Sequence, residues 1–227
     1  MLLSMEEFRA FHPKKPTYAL FGWPLGHTMS PELHQQLFAA SGQDADYIGV
    51  AVPPADLPEA FQLAKDRLHG INCTIPHKKA VIPLLDEIDT AARDLHSVNT
   101  VAFVQGKSIG YNTDILGFAE SLKRDGIALR GKKVLLLGYG GAASVMAYHC
   151  ASQGAYLTIT GRDLEKAAAL QRQICDVLPG AHVSVFSRRH IPRDIQIVLN
   201  STPVGMFPKE QSAPLHFLPH KTEYVFD

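Results

Sequence analysis

Lys78 and Asp114 carry the side chains best suited to moving a proton, and a glycine-rich turn follows both of them. Lys78 stands in Asn72-Cys73-Thr74-Ile75-Pro76-His77-Lys78, and Asp114 in Tyr111-Asn112-Thr113-Asp114. The turn Gly138-Tyr139-Gly140-Gly141-Ala142-Ala143 comes directly after the apolar run Val134–Leu137. An ammonium stabilises an alkoxide as it develops and delivers a proton to it, while a carboxylate beside it fixes its aim. The matching hydride would come from a nicotinamide. In Gly138-x-Gly140-x-x-Ala143 the first glycine permits a tight turn and the second lets backbone approach a pyrophosphate. The small third residue lets helix pack closely on strand. Phosphates then meet the free N–H groups of the helix start, here the Gly141-Ala142 end. This order predicts chemistry in the first half, a dinucleotide in the second, and a dehydrogenase site in the cleft between two domains.

The end of the next strand decides between nucleotides. An acidic residue there bonds a ribose 2′-hydroxyl, whereas an arginine pairs with a 2′-phosphate. This chain has Gly161-Arg162-Asp163, with Lys166 one helical turn beyond Arg162 and on the same face. The pair favours NADP over NAD. Asp163 reads either as a helix cap or as a contact to a 2′-hydroxyl.

The elements that must position these residues alternate between strand and helix. Strands are predicted at Tyr18–Phe21, Tyr47–Val52 and Gly70–Thr74. A helix is expected to start with Ser30 as N-cap and Pro31 at its first position, with Leu33, Leu37, Phe38 and Ala40 as its apolar stripe. A second helix covers Asp56–Arg67. Asn99–Val104 and Ser108–Tyr111 flank Gln105-Gly106-Lys107 and read as a hairpin. Helix Ile115–Lys123 leaves this unit, and the polar stretch Gly126–Lys132 reads as a linker. Domains are therefore drawn at 1–125 and 126–227. Beyond the linker come strand Val134–Leu137, a helix to about Gln153, strand Tyr156–Thr160, helix Leu164–Val177, and strands Val183–Phe186, Ile195–Leu199 and Tyr224–Phe226. That alternation predicts an α/β protein with a parallel, Rossmann-type second domain.

Composition narrows the function classes. The 227 residues include 46% hydrophobic and 19% charged, enough for a core in each half. Acidic and basic residues balance and no basic tract occurs, so nucleic acid is not the expected partner; a small anionic molecule is. Three scattered cysteines without a CxxC pair read as reduced thiols of a cytoplasmic protein. Met1–Arg9 has no apolar leader core, and no run approaches the ~18 apolar residues of a membrane span. The 11 histidines show no metal-ligand spacing, so no metal is expected; His27, His34 and His77 read as structural. Trp23 and Tyr111 read as packing or wall residues. The expected state is a monomer or homodimer.

Several short motifs in fixed order carry a resemblance. They are Gly22-Trp23-Pro24-Leu25-Gly26-His27-Thr28-Met29-Ser30-Pro31, the Asn72–Lys78 stretch, Ser97-Val98-Asn99-Thr100, Gly110–Asp114, the glycine turn, and Asn200-Ser201-Thr202-Pro203-Val204-Gly205-Met206. Together they make the chain resemble the shikimate dehydrogenases across nearly its whole length. The resemblance implies reversible NADPH-dependent reduction of 3-dehydroshikimate to shikimate, a step of aromatic amino-acid biosynthesis. It implies that Thr28 and Ser30 hold the substrate carboxylate, that Thr74 and Asn99 contact ring hydroxyls, and that Lys78 and Asp114 form the catalytic pair. The loop carrying Thr202 and Met206 would lie near the nicotinamide ribose. Read alone, Ser30 and Asp114 are also plausible helix caps, and Lys78 an exposed lysine beside Lys79.

The resemblance also sets up departures. Family members continue beyond the strand at Tyr224–Phe226 with further nucleotide-domain structure, a substrate-contacting glutamine and a helix on the first domain. The expectation is either a truncated version or a remainder that lies outside this sequence. Tyr139 replaces a usual Ala and adds bulk near the pyrophosphate; Thr28 replaces a usual Ser, with a methyl that crowds the carboxylate; Gly161 replaces a usual Asn beside the adenine ribose. Two alternatives accompany the main reading: a quinate/shikimate dehydrogenase-like paralogue, and a non-catalytic binding module.

Overall fold

A computed structural model describes residues 1–26, 28–206 and 210–227. His27 lies outside the described residues. The chain forms two compact units, Met1–Thr113 and Asp114–Asp227.

The first unit contains β1 (Leu2–Ser4), α1 (Met5–Ala10), β2 (Thr17–Gly22), α2 (Ser30–Ala40), β3 (Asp46–Ala51), α3 (Leu57–Arg67), β4 (Gly70–Cys73) and α4 (His77–Ala80). It continues through β5 (Glu87–Ile88), α5 (Thr90–Asp94), β6 (Thr100–Val104) and β7 (Lys107–Tyr111). Its sheet runs β1-β3-β2-β4-β6-β7-β5. The first four are parallel, and β6 is antiparallel to both neighbours. The reversal follows from the hairpin: Gln105 and Gly106 have φ of 52° and 77°, the paired left-handed conformation that matches strand twist. Strand β1 and helix α1 were not among the expected elements. Their signal is local, since Ser4 and Glu7 form a capping box.

Helix α2 corrects two expectations. Met29 occupies the cap position and Ser30 is the first helical residue, because Thr28 Oγ1 already accepts the Ser30 N–H at 3.2 Å. The packed face is also different. Leu33 and Leu37 are 54% and 52% exposed. Of the expected stripe Phe38 does pack, tilted against Tyr18 at 5.6 Å, and His34 joins it by stacking on Tyr47 at 4.0 Å, so an aromatic i, i+4 pair meets the sheet.

The second unit contains α6 (Asp114–Arg124), β8 (Lys133–Leu137), α7 (Gly141–Ser152), β9 (Tyr156–Thr160), α8 (Leu164–Val177), β10 (His182–Val185), β11 (Ile197–Asn200) and β12 (Tyr224–Phe226). The sheet is wholly parallel, in the order β10-β9-β8-β11-β12. Packing assigns α6 here because Phe118 meets Phe226 at 5.2 Å and His149 at 5.5 Å. The central strand β8 buries Val134, Leu135, Leu136 and Leu137 on both faces, which explains its unbroken apolar run. The chain turns from one side of β8 to the other between β10 and β11. A ligand crevice therefore belongs at the carboxyl ends of β8 and β11.

Candidate functional site

Three hydroxyls from two motifs meet in the first unit. Thr28, Ser30 and Thr74 line a cleft of about 420 Å³ with Leu20, Trp23, Pro24, Leu25 and Ile75. Among the described residues the lining holds no charged side chain, so an anion there would be met by hydroxyl donors. Thr28 Oγ1 accepts from Ser30 N–H, which leaves its own proton to donate. The Thr28 methyl is 3.7 Å from where a Cβ on Gly49 would stand, so it faces β3 and does not crowd the cleft as expected. Thr74 reaches its place because Gly22 has no side chain; a Cβ there would lie 2.6 Å from Thr74 Cγ2. Backbone bonds close the loops together: Thr74 N–H to Phe21 O at 2.9 Å, Trp23 N–H to Ile75 O at 3.0 Å and His77 N–H to Thr74 O at 2.7 Å. Trp23–Pro24 and Ile75–Pro76 are cis peptide bonds.

Lys78 is half-buried on α4, and its carbonyl accepts the Val98 N–H at 2.8 Å. That bond sets α4 against the residue preceding Asn99. Asn99 is 8% exposed, and its Oδ1 accepts from Thr113 N–H at 2.9 Å, Thr113 Oγ1 at 3.1 Å and Thr100 Oγ1 at 2.9 Å. A backbone N–H can only donate, so the amide orientation is fixed and Nδ2 remains the donor. Asp114 is the next residue after Thr113 and is the exposed first residue of α6.

A supporting network was missed by the motif reading. Tyr47 Oη donates to Asn72 Oδ1 at 2.6 Å, and Asn72 Nδ2 donates to Thr100 Oγ1 at 2.9 Å. Burial holds the Tyr47 phenol well above its ordinary range, so it remains a donor. The available signal was Asn72 itself, a polar residue inside an apolar strand. Cys73 is buried and its thiol is pushed up to about 12 by burial, with the Lys78 charge opposing, so it is no nucleophile near neutrality. His77 is fully buried with Nε2 2.8 Å from Val52 O, and burial lowers its pKa. It ties α4 to the end of β3.

The second unit assembles its own group at the carboxyl ends of β8, β9 and β11. Gly138 has φ of 116°, and a Cβ on it would collide with Ser201 Oγ. Ser201 is held there by donating to Leu137 O at 2.7 Å. Space above Gly140 and Gly141 is open, since a Cβ on either meets nothing within 4 Å. Helix α7 begins beneath them, with Ala143 fully buried and Ala142 exposed, and its first-turn N–H groups have no intrahelical acceptor. A dinucleotide pyrophosphate fits this bare, donor-rich turn. Thr202 is fixed by donating to Asn200 Oδ1 through N–H at 3.0 Å and Oγ1 at 2.7 Å, and Met206 is exposed on the same loop. Arg162 and Lys166 are exposed at the end of β9. Asp163 caps α8, its Oδ1 accepting from Glu165 and Lys166 N–H, each at 3.1 Å. The capping alternative is thus the one observed.

The expected Tyr139 bulk near the pyrophosphate is corrected: the ring edge lies over Gly161. Among the described residues, no cluster of three His, Cys, Asp or Glu side chains could hold a metal, and no helix is long and apolar enough to cross a membrane. Cys73, Cys150 and Cys175 are free thiols.

Residues 20–101 match the family model of the shikimate dehydrogenase substrate binding domain. A shikimate dehydrogenase (NADP(+)) of Carboxydothermus hydrogenoformans is 39% identical over 197 residues, covering 86% of this chain and 70% of the relative. The crystal structure of shikimate 5-dehydrogenase from Thermus thermophilus in complex with NADP(H) and shikimate superposes with a TM-score of 0.75 at 30% identity, covering 88% of this chain and 73% of that one. A ligand-free 5-ketofructose reductase of a Gluconobacter species gives a TM-score of 0.76 at 34% identity, covering 85% and 70%.

Proposed function

We infer the activity from one premise: this chain belongs to the shikimate dehydrogenase family and is an oxidoreductase of the NADP-dependent shikimate dehydrogenase type. We propose that it interconverts 3-dehydroshikimate and shikimate. The observation that carries this reading is the convergence of Thr28, Ser30 and Thr74 on one uncharged cleft, with Lys78 and Asn99 linked through the Lys78–Val98 bond.

In this reading Thr28 and Ser30 donate to the ring carboxylate, while Thr74 and Asn99 Nδ2 meet ring hydroxyls. Lys78 donates a proton to the carbonyl oxygen as it becomes an alkoxide, and takes it back in the oxidation direction. Asp114 aims the ammonium. The bound reduced nicotinamide supplies the hydride. Gly138, Gly140, Gly141 and Ala142 would seat the pyrophosphate, Arg162 and Lys166 the 2′-phosphate end, and Thr202 and Met206 the nicotinamide-ribose end. NADP is the preferred nucleotide. The carboxylate separates this reading from reduction of a neutral keto-sugar, which has no anion for the hydroxyl cleft.

Steady-state oxidation of shikimate, quinate and a neutral polyol with NADP⁺ and NAD⁺ tests it. Shikimate with NADP⁺ is expected to be fastest. Lys78→Ala should lower kcat by about 10²–10⁴-fold, the usual worth of a positioned acid–base group, with NADP⁺ affinity kept within about twofold. Wild-type turnover in Lys78→Ala would overturn the assignment, and faster oxidation of a neutral polyol would overturn the substrate.

A further inference from the structure

The two departures from the family pattern in the second unit, Tyr139 and Gly161, are one feature in space. They follow the paired strands β8 and β9, where Leu137 lies opposite Thr160. A Cβ on residue 161 would fall 2.5 Å from Tyr139 Cε1 and 2.7 Å from Cδ1, with Cζ at 3.8 Å. Nonbonded carbons prefer about 3.5–4.0 Å, so the ring edge occupies the space any side chain at 161 would need. The ring is half-buried and packs on the core of the unit. Among the described residues its hydroxyl has no hydrogen-bond partner.

Groups around it differ in what they have left to offer. The Asp163 carboxylate is committed to the α8 cap and lies 3.6 Å from Lys166 Nζ. A carboxylate so engaged is a poor acceptor for a ribose 2′-hydroxyl. Arg162 is exposed and, among the described residues, has no ion-pair partner. Of Tyr139, Arg162 and Asp163, the two with donors unused among the described residues are the phenol hydroxyl and the guanidinium. Both are donors, one over Gly161 and one on the next residue, and a phosphate dianion accepts from both kinds of donor.

We propose that Tyr139, laid over Gly161, is a specificity-determining residue: its hydroxyl donates to the 2′-phosphate of NADP beside Arg162. The ring replaces the side chain that residue 161 lacks. This rests on the reading that the second unit binds the dinucleotide.

The test is equilibrium binding of NADP⁺ and of NAD⁺ to the full chain by titration calorimetry without substrate, with circular dichroism as the check on folding. Tyr139→Phe should weaken NADP⁺ by about 3–10-fold, the range for one lost hydrogen bond, and leave NAD⁺ within about twofold. Gly161→Asn should weaken NADP⁺ by more than about tenfold, because the ring must leave; adding Tyr139→Ala relieves the clash but not the missing hydroxyl, so the pair should recover only to the level of Tyr139→Phe. Unchanged NADP⁺ binding in Tyr139→Phe, or equal loss for both nucleotides, would overturn the proposal. So would wild-type binding in Gly161→Asn. A wild-type chain that binds neither nucleotide would instead overturn the dinucleotide reading beneath it.

Discussion

Replacing Asn99 separates its structural oxygen from its proposed substrate-facing nitrogen. In Asn99→Ala three donors lose an acceptor. The two hydroxyls can re-pair, one donating to the other across the 3.3 Å between Thr100 Oγ1 and Thr113 Oγ1 and the second turning to solvent at exposed Thr113. The Thr113 N–H cannot turn. Leaving one part-buried donor unsatisfied costs at the low end of about 1–3 kcal/mol, so we expect a loss of about 1 kcal/mol. In Asn99→Asp the acceptor survives and is charge-assisted, so stability should stay closer to wild type than in Asn99→Ala. The same variant loses the Nδ2 donor and should lower kcat/KM for shikimate by about tenfold or more, at about 1.4 kcal/mol per decade. The assay is convenient. The single tryptophan, Trp23, lies in the first unit, so urea unfolding followed by its fluorescence reports on that unit alone. An Asn99→Ala midpoint equal to wild type would refute the claim that this oxygen holds Thr113. Equal destabilisation by Asp and Ala would refute the division of labour.

Two further outcomes follow from the same geometry. Gly138→Ala should destabilise the second unit by about 1–3 kcal/mol, the cost of a non-glycine residue in a disfavoured backbone region, and should push against Ser201. Nucleotide affinity should fall with it by more than tenfold in calorimetry, and wild-type affinity would sink the role given to the turn. Acid should weaken the fold through His34, His77 and His149, whose pKa values are all lowered by burial. Each folded value lies below the unfolded one near 6.5, so the unfolded chain binds more protons. The stability is complete above about pH 6.5 and is lost as pH falls through the lowered values; urea midpoints that stay flat from pH 7.5 to 5 would contradict this.

Local rules read well wherever the information was local. Helix α8 was legible to both ends, with Asp163 capping it, and the hairpin was legible from Gln105-Gly106. The glycine turn was legible because Gly138 must take a positive φ. What escaped depends on residues distant in the chain. The packed face of α2 was misread because Leu33 and Leu37 satisfy a helical period, but the choice of face was made by Tyr18 and Tyr47 on the sheet. Asn72 was given no role of its own inside its predicted strand, and its partners Tyr47 and Thr100 come from other strands. Tyr139 and Gly161 looked like two independent departures, one adding bulk and one removing a side chain, and only their contact makes them one arrangement.

Strand direction explains why motifs so irregularly spaced share one edge of the first sheet. β2 and β4 run parallel, so the segments leaving them, Trp23 onward and Thr74 onward, emerge together. β6 runs opposite to β4, with Asn72 opposite Thr100, so the residue entering β6, Asn99, stands beside the residue leaving β4. β7 reverses again, with Thr100 opposite Tyr111, and returns Asn112 and Thr113 to the same edge. The Gln105-Gly106 turn falls at the other edge, where no candidate site residue lies. In the second unit all strands are parallel, so only carboxyl ends are available, and the turns after β8, β9 and β11 use all three. One antiparallel hairpin thus allows the first unit to collect residues from before a strand as well as after it. Asn99 can therefore be held by Thr113, the last residue before Asp114, which carries the backbone from the first unit into α6.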